Sequence, residues 1–132
     1  MAEIIVTGAG VVGLSTAMLL AGDGHQVTVL ERDPTPPPPS PEAAWEAWDR
    51  KGVNQFRLLH FLLARHRTML EAELPAVAES LHAAGALSIN PVTSAPSEIT
   101  GGPRPGDDRF GILTARRPVA ESVFAWIEDG RS

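Results

Sequence analysis

Residues 7–33 read "TGAGVVGLSTAMLLAGDGHQVTVLERD", and the fold follows from this stretch. Just before it, Glu3–Thr7 "EIIVT" is a short apolar run rich in β-branched residues, the pattern of a buried strand. Gly8 ends that run. From Val11 to Ala21 the residues are good helix formers and apolar nearly all round, as in a helix laid against a sheet. "GDGH" at 22–25 is a stop signal, with Gly22 or Gly24 free to take the left-handed cap conformation. "QVTVL" at 26–30 is a second strand. The predicted unit is therefore strand, glycine turn, helix, strand.

Gly8-Ala9-Gly10-Val11-Val12-Gly13 fits G-x-G-x-x-G. The pattern alone is weak; between a strand and a helix it is in the context that gives it meaning. Gly8 permits the tight turn, and Gly10 lets the backbone approach a pyrophosphate. Gly13 lets helix and strand pack closely, with Ala17 keeping that face small one turn later. The helix start adds unpaired N–H groups and the positive end of its dipole. Glu31, which ends the second strand 21 residues after Gly10, can accept hydrogen bonds from ribose hydroxyls and repels a 2′-phosphate. FAD and NAD both satisfy these residues; NADP does not. The plain alternative is a glycine turn beside a surface glutamate.

The remainder of the chain sets the frame. Its 132 residues suffice for one domain, and 43% hydrophobic residues allow a packed core. The net charge of −5 lacks a basic nucleic-acid footprint. With no cysteine, disulfides, thiolate metal sites and cysteine nucleophiles are excluded. The start lacks the basic region of a secretory signal, and "LLHFLLA" at 58–64 is too short to span a bilayer. A soluble, cytoplasmic protein without a membrane or nucleic-acid partner is expected.

"PTPPPPSP" at 34–41 holds six prolines in eight positions and reads as a stiff, extended surface loop, with a proline-recognition motif as the other reading. Residues 42–86 read as helical: Phe56, Leu59, Leu63, Leu70 and Leu74 fall at helical spacings, opposite Arg65, His66 and Arg67. Pro75 opens a further helix bearing Val77, Leu81 and Ala84, with Gly85 as its cap. Residues 87–132 read as short strands in "ALSIN" and "FGILT", a loop over 91–108, and a last helix with Val119, Val123 and Trp126 on one face.

An NAD-type domain would ordinarily continue into another βα unit, whereas this chain enters a proline loop and a helical stretch, which favours FAD. The βαβ sequence, "RKGV" at 50–53 and "RRPVAESV" at 116–123 together resemble FAD-dependent monooxygenases of the p-hydroxybenzoate hydroxylase type. The resemblance covers nearly the whole chain, with only general pattern in the middle. It implies that Glu31 binds the adenosine ribose, that Arg50 lies near the flavin pyrophosphate and that Arg117 contacts the flavin. Ala120 stands where a leucine is usual, which leaves Arg116 as a substitute for Arg117. The implied cofactor-binding set is Gly8, Gly10, Val11, Val12, Gly13, Glu31, Arg32, Arg50 and Arg117. No catalytic side chain is expected, since the flavin carries the oxygen chemistry, with NADH or NADPH as electron donor and a small organic substrate.

The family's Asp-Gly and Gly-Asp cofactor motifs are missing in context; Asp23-Gly24, Gly106-Asp107 and Asp129-Gly130 read as turns. Residues 1–132 are therefore expected to form an incomplete, Rossmann-like α/β FAD-binding domain. Such a piece would retain flavin weakly or not at all, hydroxylate nothing alone and self-associate through an unpaired sheet edge. The other readings are a non-catalytic fragment and an NAD-binding dehydrogenase domain. His25, His60, His66 and His82 show no metal-ligand spacing. Trp45 and Trp48 are candidates for local packing or for adenine stacking.

Overall fold

Alternation of side chains along two short apolar strands builds the first layer. In the computed structural model, which describes residues 1–128, β1 (Glu3–Thr7) and β2 (Gln26–Leu30) pair in parallel, with Glu3 opposite Gln26 and Thr7 opposite Leu30. Ile4, Val6, Val27 and Val29 are half-buried, while the alternate residues are exposed. Leu14 and Ala17 of α1 (Val11–Gly22), which packs against both strands, are buried. The other face of the strand pair is open, leaving Ile5 67% exposed. Gly24, at φ 84°, closes α1: its N–H donates to Ala21 and that of His25 to Leu20. The expected glycine cap is thus Gly24.

The proline segment runs as a loop to Ser40. Its Pro38 carbonyl accepts a 2.8 Å hydrogen bond from the Trp126 indole. Pro41 is already the first residue of α2 (Pro41–Ala47), with the Ser40 hydroxyl accepting from the Ala43 N–H at 3.2 Å. A proline at the first helical position loses no helical hydrogen bond, and serine is a favoured cap.

The expected helical segment over 42–86 is corrected in its middle. Leu59–Leu62 form a strand, β3, antiparallel to β5 (Ile112–Arg116), with Leu62 opposite Leu113 and Leu59 opposite Arg116. The period is two: Leu62 is buried and His60 half-buried, while Leu59 and Phe61 are exposed. Pairing with a strand 50 residues onward overrides a locally helical spacing. Helices resume as α3 (Ala64–Glu73) and α4 (Pro75–Ala83), the latter opened by Pro75 as expected. Gly85 at φ 92° closes α4 and leads to β4 (Leu87–Ile89), which pairs with the other edge of β5 in the order β3-β5-β4. The 91–108 loop contains one short helical turn, α5 (Ser97–Thr100), and Asp107–Phe110 is a 3₁₀ turn beginning after Gly106. Arg67, expected on the polar side, is half-buried and donates to the Gly111 carbonyl at 2.9 Å.

The last helix, α6 (Arg117–Glu128), packs against α1, α2 and α4. Its Val123 and Phe124 join Leu14, Leu62, Leu70, Val77, Leu81 and Leu113 in the main core. Full burial of a side chain such as Phe124 is worth about 1.5–3 kcal/mol, so α6 is the element that ties the βαβ unit to the rest. A second cluster, Ala44, Trp48 and Phe56, lies under the α2 region. Asp129-Gly130, one of the expected turn dipeptides, lies outside the described residues. Among the described residues, no helix is long and apolar enough to cross a membrane.

Candidate dinucleotide site

The three glycines differ in what surrounds them. Gly8 has φ 97° and donates its N–H to the Leu30 carbonyl at 2.7 Å, locking the turn to the end of β2. At Gly13 a Cβ would lie 1.9 Å from the Gly8 carbonyl oxygen, so only glycine permits this approach of helix and turn. Gly10 has ordinary extended angles (φ −86°, ψ 176°), and a Cβ there would meet nothing within 4 Å. Its surroundings therefore do not demand glycine for packing or for conformation. A Cβ at Gly10 would instead extend into open space at the start of α1, where the first-turn N–H groups of Val11, Val12 and Gly13 lack helical partners.

Glu31 is built into that turn. Its Oε2 accepts from the Ala9 N–H at 2.6 Å and from Arg50 Nη2 at 2.6 Å, and its Oε1 accepts from the Asp33 N–H at 2.8 Å. The side chain is 26% exposed. Partial burial opposes its charge, but the Asp33 and Ala9 N–H groups and the Arg50 guanidinium outweigh that and hold the carboxyl below its ordinary pKa. A carboxylate offers about four lone-pair sites, so Oε1 keeps acceptor capacity toward solvent.

Arg50, expected beside a pyrophosphate, is bound mainly to the protein itself. Its side chain is 7% exposed. Nη1 donates to the Ala9 carbonyl at 3.0 Å and to Glu121 Oε2 at 2.6 Å, and Nε lies 3.9 Å from Asp33. Its guanidinium sits 5.6 Å from the centre of the Trp48 ring. Trp48 in turn meets Phe56 edge-to-face at 5.4 Å, while Trp45 lies under Arg57 and Arg116, so both tryptophans are engaged in local packing.

Arg117 donates through Nε to Glu121 Oε1 at 3.1 Å and through Nη1 to the Asn54 carbonyl at 2.9 Å. Arg116, the suggested substitute, is exposed and stacks 4.9 Å from the Trp45 ring centre, so Arg117 is the arginine that faces the glycine turn.

Two clefts meet at Gly10, Gly52 and Val53. The first, about 770 Å³, is bordered by Glu31, Arg32, Asp33, Arg50 and Lys51. The second, about 590 Å³, runs between the Gly8–Gly13 turn and His60, Phe61 and Arg117. The expected residues thus gather along one path: Glu31, Arg32 and Arg50 at one end, the glycine turn in the middle and Arg117 at the other. Burial, the Arg117 charge and His66 depress the His60 pKa against a weaker opposing pull from Glu121. Among the described residues, no group of three potential ligands could hold a metal ion.

Two residues were not anticipated from the sequence. Glu121 is 2% exposed and joins Arg50 to Arg117; its signal is an acid inside the apolar run "VAESVF", four residues after Arg117. His60 faces the second cleft because of β3, and a helical reading of that segment hides it.

Comparison with known proteins fits this geometry. The family model "FAD dependent oxidoreductase" matches residues 3–52. D-amino acid dehydrogenase 2 of Ralstonia nicotianae is 62% identical over 34 residues, which is 26% of this chain and 8% of that protein. The D-amino acid dehydrogenase of Bradyrhizobium diazoefficiens is 47% identical over the same length. An L-amino-acid oxidase of Crotalus adamanteus is 64% identical over 29 residues, 22% of this chain and 6% of that protein. The chain covers no more than 8% of the length of these relatives. Their names are those of dehydrogenases and oxidases, so the expected likeness to p-hydroxybenzoate hydroxylases holds only at the coarser level. Over residues 3–52, which carry the glycine turn, Glu31 and Arg50, this chain is similar to FAD-dependent oxidoreductases.

Proposed function

We propose that this chain is the N-terminal, FAD-holding part of a flavoprotein oxidoreductase, a Rossmann-like βαβ unit with an inserted helical segment and an incomplete parallel sheet. The observation that carries the reading is the contrast between two glycines. Gly13 is required by packing, whereas Gly10 leaves open backbone at a helix start beside a carboxylate. Backbone access is what a pyrophosphate needs. The residues fit the cofactor: the start of α1 would face the pyrophosphate, Glu31 Oε1, which accepts from the Asp33 N–H, would have a lone pair left for a ribose hydroxyl, and Arg32 in the same cleft would border the adenosine end. Arg117 borders the second cleft, where a guanidinium suits the carbonyl oxygens of a flavin ring. The Glu31 charge disfavours a 2′-phosphate. When bound, FAD supplies two-electron transfer between a donor and an acceptor.

Two reaction classes divide the observations. The hydroxylase reading, with NADH or NADPH as donor and a small organic substrate in the cytoplasm, draws on "RKGV" and "RRPVAESV". The amino-acid oxidation reading draws on the names of the relatives. The matched segment is the cofactor unit in both classes, so its similarity bears on FAD and not on the substrate. Titration of the purified chain with FAD, read by flavin fluorescence, tests the common core. Saturable FAD binding with weaker NADP binding is expected. NADP binding tighter than FAD, or no FAD binding at all, overturns it.

A further inference from the structure

The geometry points to Glu121 as a positioning residue that fixes two arginines at once, one for each cleft; the inference rests on the flavin reading above. Its carboxylate is buried, and its two oxygens serve different partners: Oε2 takes Arg50 Nη1 at 2.6 Å, and Oε1 takes Arg117 Nε at 3.1 Å. Neither arginine is anchored by Glu121 alone. Arg50 passes the constraint to Glu31 and to the Ala9 carbonyl inside the glycine turn. Arg117 is also tied to the Asn54 carbonyl, next to the Gly52-Val53 segment where the clefts meet. Two arginines and two glutamates, with Asp33 3.9 Å from Arg50 Nε at one end, form a chain of ion pairs running between the two clefts. Because Glu121 lies on α6, that helix sets the geometry of a site whose glycine turn, Glu31 and Arg50 lie within the first 50 residues.

A buried carboxylate accepts at both oxygens, whereas an amide of the same shape accepts at one and donates from the other. Glu121→Gln therefore keeps the packing volume but must release one arginine, which is then held only by its remaining partners: Glu31 and the Ala9 carbonyl for Arg50, or the Asn54 carbonyl for Arg117. Loss of stability alone would leave FAD and ADP affinities unchanged in the folded fraction. A positioning role lowers FAD affinity, and lowers it more than ADP affinity, because ADP does not extend into the Arg117 cleft.

The test uses the full chain with FAD and ADP as probes. Side-chain ¹⁵N resonances of Arg50 and Arg117 are recorded without ligand. For E121Q we expect FAD binding weakened about tenfold or more and ADP binding weakened less. At least one arginine resonance should move to a solvent-exchanging position. Equal FAD affinity in E121Q and the parent chain, or unchanged resonances for both arginines, overturns the assignment. If E121Q does not fold, E121Q/R117Q should fold, because the single amide oxygen then needs to serve only Arg50. A double variant no more resistant to urea than E121Q also overturns it. A parent chain that binds neither probe refutes the flavin reading, and the arginine resonances then still decide the role of Glu121.

Discussion

Alanine at Gly13 and alanine at Gly10 should fail in opposite ways. At position 13 the new methyl would lie 1.9 Å from the Gly8 carbonyl oxygen and 3.1 Å from its carbon, both backbone atoms that cannot rotate away. The turn must shift, and overpacking of this kind costs about 1–3 kcal/mol. Displacing Gly8 also strains its 2.7 Å hydrogen bond to Leu30, worth about 0.5–1.5 kcal/mol. Alanine returns about 1 kcal/mol of helix propensity, so the net expectation for Gly13→Ala is a loss of about 1–3 kcal/mol. At position 10 the backbone angles suit any residue and no atom is within 4 Å. There the stability change should stay below about 1 kcal/mol. The same methyl would hold a pyrophosphate away from the first-turn amides. Losing one charged hydrogen bond of about 1.5–3 kcal/mol weakens FAD binding roughly 10- to 150-fold. Urea unfolding and FAD fluorescence titration on both variants separate the effects. Wild-type stability in Gly13→Ala, or wild-type FAD affinity in Gly10→Ala, would refute the assignment of packing to one glycine and ligand access to the other.

Glu31→Gln should weaken FAD binding by roughly tenfold, because one charged hydrogen bond becomes neutral; calorimetry giving no change would mean that Glu31 serves only the turn. The depressed His60 pKa means that the unfolded chain takes up a proton before the folded one does. Stability should therefore fall as pH drops through the ordinary imidazole range, and His60→Gln should flatten that step in urea midpoints. A lowered Glu31 pKa acts in the same direction at more acid pH, where the stability it supplies is lost as the carboxylate is protonated. The open face of the β1–β2 pair, with Ile5 67% exposed, predicts self-association at high protein concentration. Ile5→Lys should shift sedimentation toward the monomer, and an unchanged profile would place any contact elsewhere.

The βαβ unit was legible because every signal in it is local. Two apolar β-branched runs, three glycines at fixed spacing and a terminal acid all fall within 29 residues, Glu3 to Glu31, although the run at Glu3–Thr7 reads as a buried strand and is half-exposed in the fold. Pro75 as a helix start and Gly85 as a closure are similarly local, and the choice between Gly22 and Gly24 is settled by the positive φ of Gly24. Residues 59–62 were not legible. The spacing of Phe56, Leu59 and Leu63 is equally compatible with a helix, and the strand that decides the matter, β5, begins at Ile112. Glu121 was hidden for a related reason. In sequence it is one acid in an amphipathic helix, four residues after Arg117; its other partner, Arg50, reaches it only when α6 is docked.

Arg50 lies beside the glycine turn with its donors already taken by the protein. Its place beside the glycine turn was expected from "RKGV", and it does border the first cleft. Yet Nη1 is shared between a carbonyl and a buried carboxylate, and Nη2 is held by Glu31. A guanidinium so engaged is a poor mobile clamp for phosphate. It serves better as a fixed charge that adds to the Asp33 and Ala9 N–H groups in holding the Glu31 carboxyl below its ordinary pKa, and that ties the turn to α6. In the proposed flavin site, positive potential for a pyrophosphate would then come from the start of α1 and from Arg32 and Lys51 at the cleft margin. The backbone amides are the part of that set which no side-chain replacement can remove. For that reason Gly10, and not Arg50, is the position at which a small substitution should separate cofactor binding from folding.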